Sequence, residues 1–134
     1  MDLRDRLLHD HVDLEALCVR LAQAVDRAEP APDVCKLREA LNSRLCAHLA
    51  EEDKLVYSRL LRDGSAQARW TATRLRAEIG DLAGDWRRYN QRWSPQTIDR
   101  DPDGFRDDTA TVITRLRDRI RREDRELYPL LDTA

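Results

Sequence analysis

Apolar residues recur at three- and four-residue spacing inside four stretches rich in Ala, Leu, Arg and Glu, with almost no β-branched runs. Gly and Pro gather between these stretches, at Pro30-Ala31-Pro32, at Asp63-Gly64-Ser65, and from Ser94-Pro95 to Asp101-Pro102-Asp103-Gly104. The pattern predicts four helices over residues 2–28, 33–62, 65–93 and 102–131. Asp33 is suited to open the second helix and Gly64 to close it, Ser65 to cap the third, and Asp101 followed by Pro102 to open the fourth. Two of the connections are short, which makes neighbouring helices antiparallel. The expected fold class is therefore all-α, an up-down-up-down antiparallel four-helix bundle, with residues 1–134 as one domain.

Advancing each residue by about 100° shows what each helix turns inward. The first stripe runs Leu7, His11, Leu14, Cys18, Leu21 and Val25, which puts His11 inside and leaves His9 facing water. The second runs Leu37, Leu41, Leu45, His48 and Glu52, then Leu55 or Val56. The third runs Ala68, Thr71, Leu75, Ile79, Leu82, Trp86, Tyr89 and Trp93, and has no histidine. The fourth runs Val112, Leu116, Arg119, Glu123, Leu127 and Leu130. Three of the four inner faces thus carry polar residues at one level. Trp70, Trp86, Tyr89 and Trp93 lie on or beside one face, as core aromatics do.

An internal repeat reinforces this level. HLAEEDKLVYSRL, residues 48–60, has a near twin in RIRREDRELYPLL, residues 119–131. The copies agree at Glu52 and Glu123, Asp53 and Asp124, Tyr57 and Tyr128, and Leu60 and Leu131, but His48 in one is answered by Arg119 in the other. An unpartnered buried carboxylate costs several kcal/mol even after relaxation, roughly, so these groups must meet one another or a cation. A His with a Glu four residues on presents an imidazole nitrogen and a carboxylate oxygen to a shared point, a donor set that divalent iron, manganese or zinc accepts.

The HxxxE of the second helix, the histidine on the first and the EDxxLYPLL-like end of the fourth resemble the hemerythrin-like family of HHE cation-binding domains, over essentially the whole chain. The resemblance implies a four-helix bundle around a histidine-rich di-iron centre with bridging carboxylates, where oxygen or a related small molecule binds. It makes His11 the first-helix ligand, His48 and Glu52 the second-helix pair, and Glu123 the fourth-helix carboxylate. Two departures stand out. Arg119 occupies the place of the fourth-helix histidine, and the third helix offers only Arg74, Arg76, Thr71 or Leu75 where histidine is expected. With three histidines in all, and His9 outside, a full di-iron set cannot form. Arg119 then reads as a surrogate for the missing metal, its guanidinium supplying a fixed positive charge between Glu52 and Glu123. At most one iron-like ion at His11, His48, Glu52 and Glu123, or none, follows from the ligand count, and both remain open.

Charged residues are 37% of the 134, yet the net charge is −2, so no strong attraction to nucleic acid or membrane is expected. The start, MDLRDRLLHDH, lacks the pattern of a signal peptide, and no run of eighteen apolar residues occurs, so a soluble cytoplasmic protein is expected. Cys18, Cys35 and Cys46 are an odd number without zinc-type spacing, and read as reduced thiols, with Cys18 in the core and Cys35 near a helix start. Ala77, Gly80 and Gly84 line the outer side of the third helix, where small residues would admit a partner helix or a second copy of the chain. The leading functional expectation is a binding or sensing module with a degenerate centre that meets oxygen, nitric oxide or peroxide. A metal-free interaction domain and a mononuclear iron enzyme acting on peroxide or oxygen are the alternatives. No acid–base pair beyond the candidate ligands argues for turnover chemistry.

Overall fold

The computed structural model describes residues 2–132, so Met1, Thr133 and Ala134 of the expected domain lie outside the described residues. The fold is all-α, and no strand occurs among the described residues. Helix α1 is Leu3–Asp26 and α2 is Ala31–Glu52. A π-helical turn, Asp53–Tyr57, carries α2 without interruption into α3, Ser58–Asp63. Then follow α4 (Ala66–Ile79), α5 (Leu82–Arg92), α6 (Pro95–Arg100) and α7 (Pro102–Arg122). A second π turn, Glu123–Leu127, and a 3-10 turn, Tyr128–Asp132, extend α7. No helix among the described residues is long and apolar enough to cross a membrane.

Three of the four expected helices are present as continuous rods, and their caps follow the local chemistry. Asp2 accepts from the Asp5 amide, Ser65 from Ala68 and Asp101 from Gly104, each satisfying an otherwise orphaned helix N–H. Gly64 ends α3, as expected. Asp33 does not cap α2: the helix starts two residues earlier, at Ala31 after Pro30, and Asp33 lies in its first turn.

The third expected helix, 65–93, is two helices. Gly80 takes φ +72°, a left-handed conformation open to glycine, and closes α4 through its amide bond to Arg76 O at 3.3 Å. Asp81 then starts α5 by accepting from the Gly84 amide at 2.9 Å. Gly84 is buried, and a Cβ there would stand 2.1 Å from Asp81 Oδ2. Ala77, Gly80 and Gly84 therefore share no continuous helix face, which removes the geometry on which a partner helix was expected at that side. On α4 the buried residues are Ala68, Ala72 and Leu75 and Thr71 is half-buried, while Trp70 is 63% exposed beneath the Arg74 guanidinium, not in the core.

The elements form a helical bundle: α1 packs along α2 and α7, α5 along α7, and α4 against α3 and the second π turn. Its interior is two apolar clusters. One gathers Leu14, Cys18, Leu21, Leu41, Leu45, Trp86, Tyr89, Trp93 and Leu116. The other gathers Leu7, Val56, Tyr57, Leu60, Ala72, Leu75, Leu127 and Tyr128. Along α1 the change from one cluster to the other falls at His11, along α2 at His48 and Glu52, and along α7 at Glu123. The polar layer expected from the inner stripes is thus a plate between two cores. Cys18 is fully buried, and burial pushes its thiol up to about 12.

Candidate metal centre

Four buried side chains meet in this plate. His11 Nε2 lies 3.7 Å from Glu52 Oε1 and 3.3 Å from Glu123 Oε1, and His48 Nε2 lies 3.3 Å from Glu52 Oε1. One donor atom from each of His11, His48, Glu52 and Glu123 falls within 4.8 Å of the others. All four are under 5% exposed. His9, by contrast, faces solvent and pairs with Asp13.

Each imidazole is held from behind. His11 Nδ1 meets Asp124 Oδ1 at 2.6 Å and His48 Nδ1 meets Asp10 Oδ2 at 3.0 Å, so in both rings Nδ1–H is engaged outside and Nε2 is turned to the centre. A carboxylate behind the imidazole is how metal-binding histidines are oriented and made more basic. Two imidazole nitrogens and two carboxylates, oriented in this way, fit one divalent cation of the iron, manganese or zinc type. They do not fit two.

Arg119 takes the opposite side. Its Nε donates to Glu123 Oε2 at 3.1 Å and its Nη2 to Glu52 Oε2 at 3.4 Å, with its side chain 14% exposed. Each glutamate therefore divides its oxygens, Oε1 towards the histidines and Oε2 towards the guanidinium. The guanidinium thus supplies a fixed positive charge to both carboxylates on the side away from the imidazoles.

Two tyrosines complete the layer. Tyr57 donates to Glu123 Oε2 at 2.8 Å. Tyr128 donates to Glu52 Oε1 and lies 2.9 Å from His11 Nε2 and 3.5 Å from His48 Nε2. The repeat extends further than its sequence. His11 stacks on the Tyr128 ring, centroids 4.9 Å apart, and bonds Asp124. Arg76 lies over the Tyr57 ring at 5.8 Å and bonds Asp53 at 2.8 Å. Arg76 and Arg119 on one side thus answer His11 and His48 on the other. Arg74 instead joins Glu78 and Glu126 in an outer ion-pair network with Arg122.

The charges follow from these contacts. Burial opposes the charge on His11, but bonds to Asp124, Glu123 and Glu52 outweigh it and lift the imidazole to about 11. His48 is raised against the same burial by Glu52 and Asp10. Burial also works against Glu52, yet His11 and His48 hold it well below the usual carboxylate range. Burial and the charge of Glu52 push Glu123 up to about 7. Arg119 resists burial because Glu123 and Glu52 hold it charged.

Asp10, Asp124, Tyr57 and Tyr128 were not assigned from sequence. The signal for three of them was present: Tyr57, Tyr128 and Asp124 are repeat positions. An open cleft of about 320 Å³ beside the Gly80 break reaches Tyr57, Arg76 and Arg119. A smaller one of about 150 Å³, lined by Asp10, Arg44 and Glu51, reaches His48.

No curated protein and no solved structure matches the chain. A family model does, that of the hemerythrin HHE cation-binding domain, over residues 2–131. Since that match runs almost from end to end of the 134 residues, the protein belongs to the hemerythrin HHE cation-binding domain family.

Proposed function

We propose that the protein is a hemerythrin-type module that holds a single cation, iron in the first instance, between His11, His48, Glu52 and Glu123, and uses it to bind or sense a small ligand such as oxygen, nitric oxide or peroxide. In this reading α1, the α2–α3 rod, the α4–α5 pair and α7 are the four antiparallel members of the family's bundle. The observation that carries the proposal is the orientation of both imidazoles, each tied at Nδ1 by an outer carboxylate and turned at Nε2 to the buried glutamates. A bound iron would supply a Lewis-acidic, redox-active centre with coordination positions left over for the small ligand. Arg119 keeps the other half of the layer neutralised without a second ion.

Elemental analysis of protein expressed in iron-rich medium tests this directly. About one metal per chain is expected, with loss of that metal in His48→Ala. A chain that takes up no iron, manganese or zinc, or a His48→Ala variant that keeps its full complement, overturns the proposal.

One observation favours a second reading, a metal-free interaction module. Glu52 already receives Tyr128 and Arg119, and Glu123 already receives Tyr57 and Arg119, so the layer closes on protein donors alone. Failure to bind metal together with an unchanged melting temperature after chelation selects this reading.

A further inference from the structure

Tyr128 stands in an unusual place for a hydrogen-bonding tyrosine. Its oxygen does not approach the layer from the rim but sits among the inward atoms of the histidine side. It is 2.9 Å from His11 Nε2, 3.5 Å from His48 Nε2, and in hydrogen-bond contact with Glu52 Oε1. These are the atoms that face the candidate cation position. The spacing matters, because donors at 2.0–2.2 Å from one first-row cation stand roughly 2.8–3.6 Å from each other, depending on the angle between them. The separations within the set, 3.3 Å for His48 and Glu52, 3.3 Å for His11 and Glu123 and 3.7 Å for His11 and Glu52, fall in or beside that range, and the two Tyr128–imidazole distances fall inside it. The phenol oxygen thus stands at ligand spacing from both imidazoles, and its closer contact with Glu52 Oε1 is the O–H hydrogen bond that ligation would break.

The position is fixed by the backbone. Tyr128 follows Glu123 by five residues across the π turn, its amide bonding Glu123 O, and its ring is buried against His11. It cannot leave the layer without unpacking the second apolar cluster, to which it belongs.

Resting on the single-cation reading, the geometry points to Tyr128 as a fifth protein ligand, an anionic oxygen donor that joins His11, His48, Glu52 and Glu123 on a ferric ion. On binding, the phenolic O–H bond breaks, the oxygen's electron pair goes to the cation and the proton leaves to solvent, with no change in oxidation state. A phenolate adds negative charge to the histidine side and matches a hard trivalent ion better than a neutral donor does. Tyr57 has no such role, because its hydroxyl bonds Glu123 Oε2 on the Arg119 side.

The whole chain, loaded with ferric iron delivered as the citrate complex, tests the assignment by its visible absorption and resonance Raman spectra. A phenolate-to-iron charge-transfer band with phenolate ring modes is expected in the parent and in Tyr57→Phe, with the band lost and iron retained in Tyr128→Phe. Iron bound by the parent with neither band nor ring modes overturns the assignment and leaves the single-cation reading standing, as does a band that survives Tyr128→Phe. A parent chain that binds no iron overturns both. If Tyr128→Phe does not fold, ring modes shared by the parent and Tyr57→Phe still assign the ligand, because Tyr89, the third tyrosine, lies in the other cluster bonded to Thr109, and their absence from Tyr57→Phe overturns the assignment.

Discussion

The Tyr57 hydroxyl is bonded not to the glutamate of its own repeat copy but to Glu123, 66 positions away, at 2.8 Å. Tyr128 returns the arrangement by bonding Glu52. The two copies of the repeat are therefore clasped crosswise, each supplying the donor for the other's buried carboxylate. Tyr57→Phe removes one of the donors to Glu123 and is expected to lower stability by about 1–3 kcal/mol, the usual cost of depriving a buried acceptor. Urea unfolding of the chelator-treated protein measures it, and a midpoint equal to the parent's would show that the bond contributes nothing.

Arg119 serves both glutamates, so its removal should cost more. Arg119→Leu leaves Glu52 Oε2 and Glu123 Oε2 without their shared cation, and breaking such a buried arrangement is expected to cost about 3–5 kcal/mol in the metal-free protein. Arg119→His replaces the surrogate charge with a ligand and is expected to raise metal content above the parent's in elemental analysis. Unaltered stoichiometry counts against the surrogate role.

The metal-free layer should favour mildly acidic solution. His11 is raised from 6.5 to about 11 and Glu123 from 4.5 to about 7, so the stability each supplies is complete below its unfolded value and is lost as pH rises through the folded one. Glu52 runs the other way, being held low, and gives up its contribution only as pH falls below 4.5. Thermal melts of the chelated protein are expected to drop by several degrees between about pH 6 and about pH 10, with a shallower slope in His11→Gln. A melting temperature that climbs over that interval contradicts the charge assignment.

Gly84→Ala places a methyl group where Asp81 caps α5 and is expected to destabilise by about 1 kcal/mol or more through loss of the cap. Asp81→Ala should cost a similar amount, and the double variant should cost little more than either alone, because both remove one interaction. Denaturant midpoints of the three variants check this, and additive losses would show that the glycine matters for a different reason.

Much of this arrangement was legible in the residues. The inner stripes of α1, α2 and α7 place His11, His48, Glu52 and Glu123 together because an α-helical period holds from Leu7 to Val25, from Leu41 to Glu52 and from Val112 to Glu123. It fails just beyond the two glutamates. In each π turn the amide closes on the carbonyl five residues back, Ser58 on Asp53 and Tyr128 on Glu123, so the fifth residue after each glutamate is buried beside the expected fourth, Tyr57 with Val56 and Tyr128 with Leu127. Reading at about 100° per residue therefore passes over Tyr57 and Tyr128. The break at Gly80 was hidden for another reason. Leu75, Ile79, Leu82 and Trp86 keep an unbroken helical spacing across it, and only the Gly80-Asp81 pair, a left-handed closure followed by a new cap, marks the interruption.

The π turns also let each long rod take up one residue more than an α-helix would need to keep its phase. Each carries one residue more than the α-helix around it, so a single excision between Glu52 and Tyr57, or between Glu123 and Tyr128, would restore an ordinary helix and leave every hydrogen bond replaceable. It would also leave all that follows in its present phase, with Leu60 or Leu127 still in the second cluster and each tyrosine still against the opposite glutamate. The surplus residue of each rod is thus wound up at the plate itself, where it brings a tyrosine to the layer, and the two cores on either side stay in step.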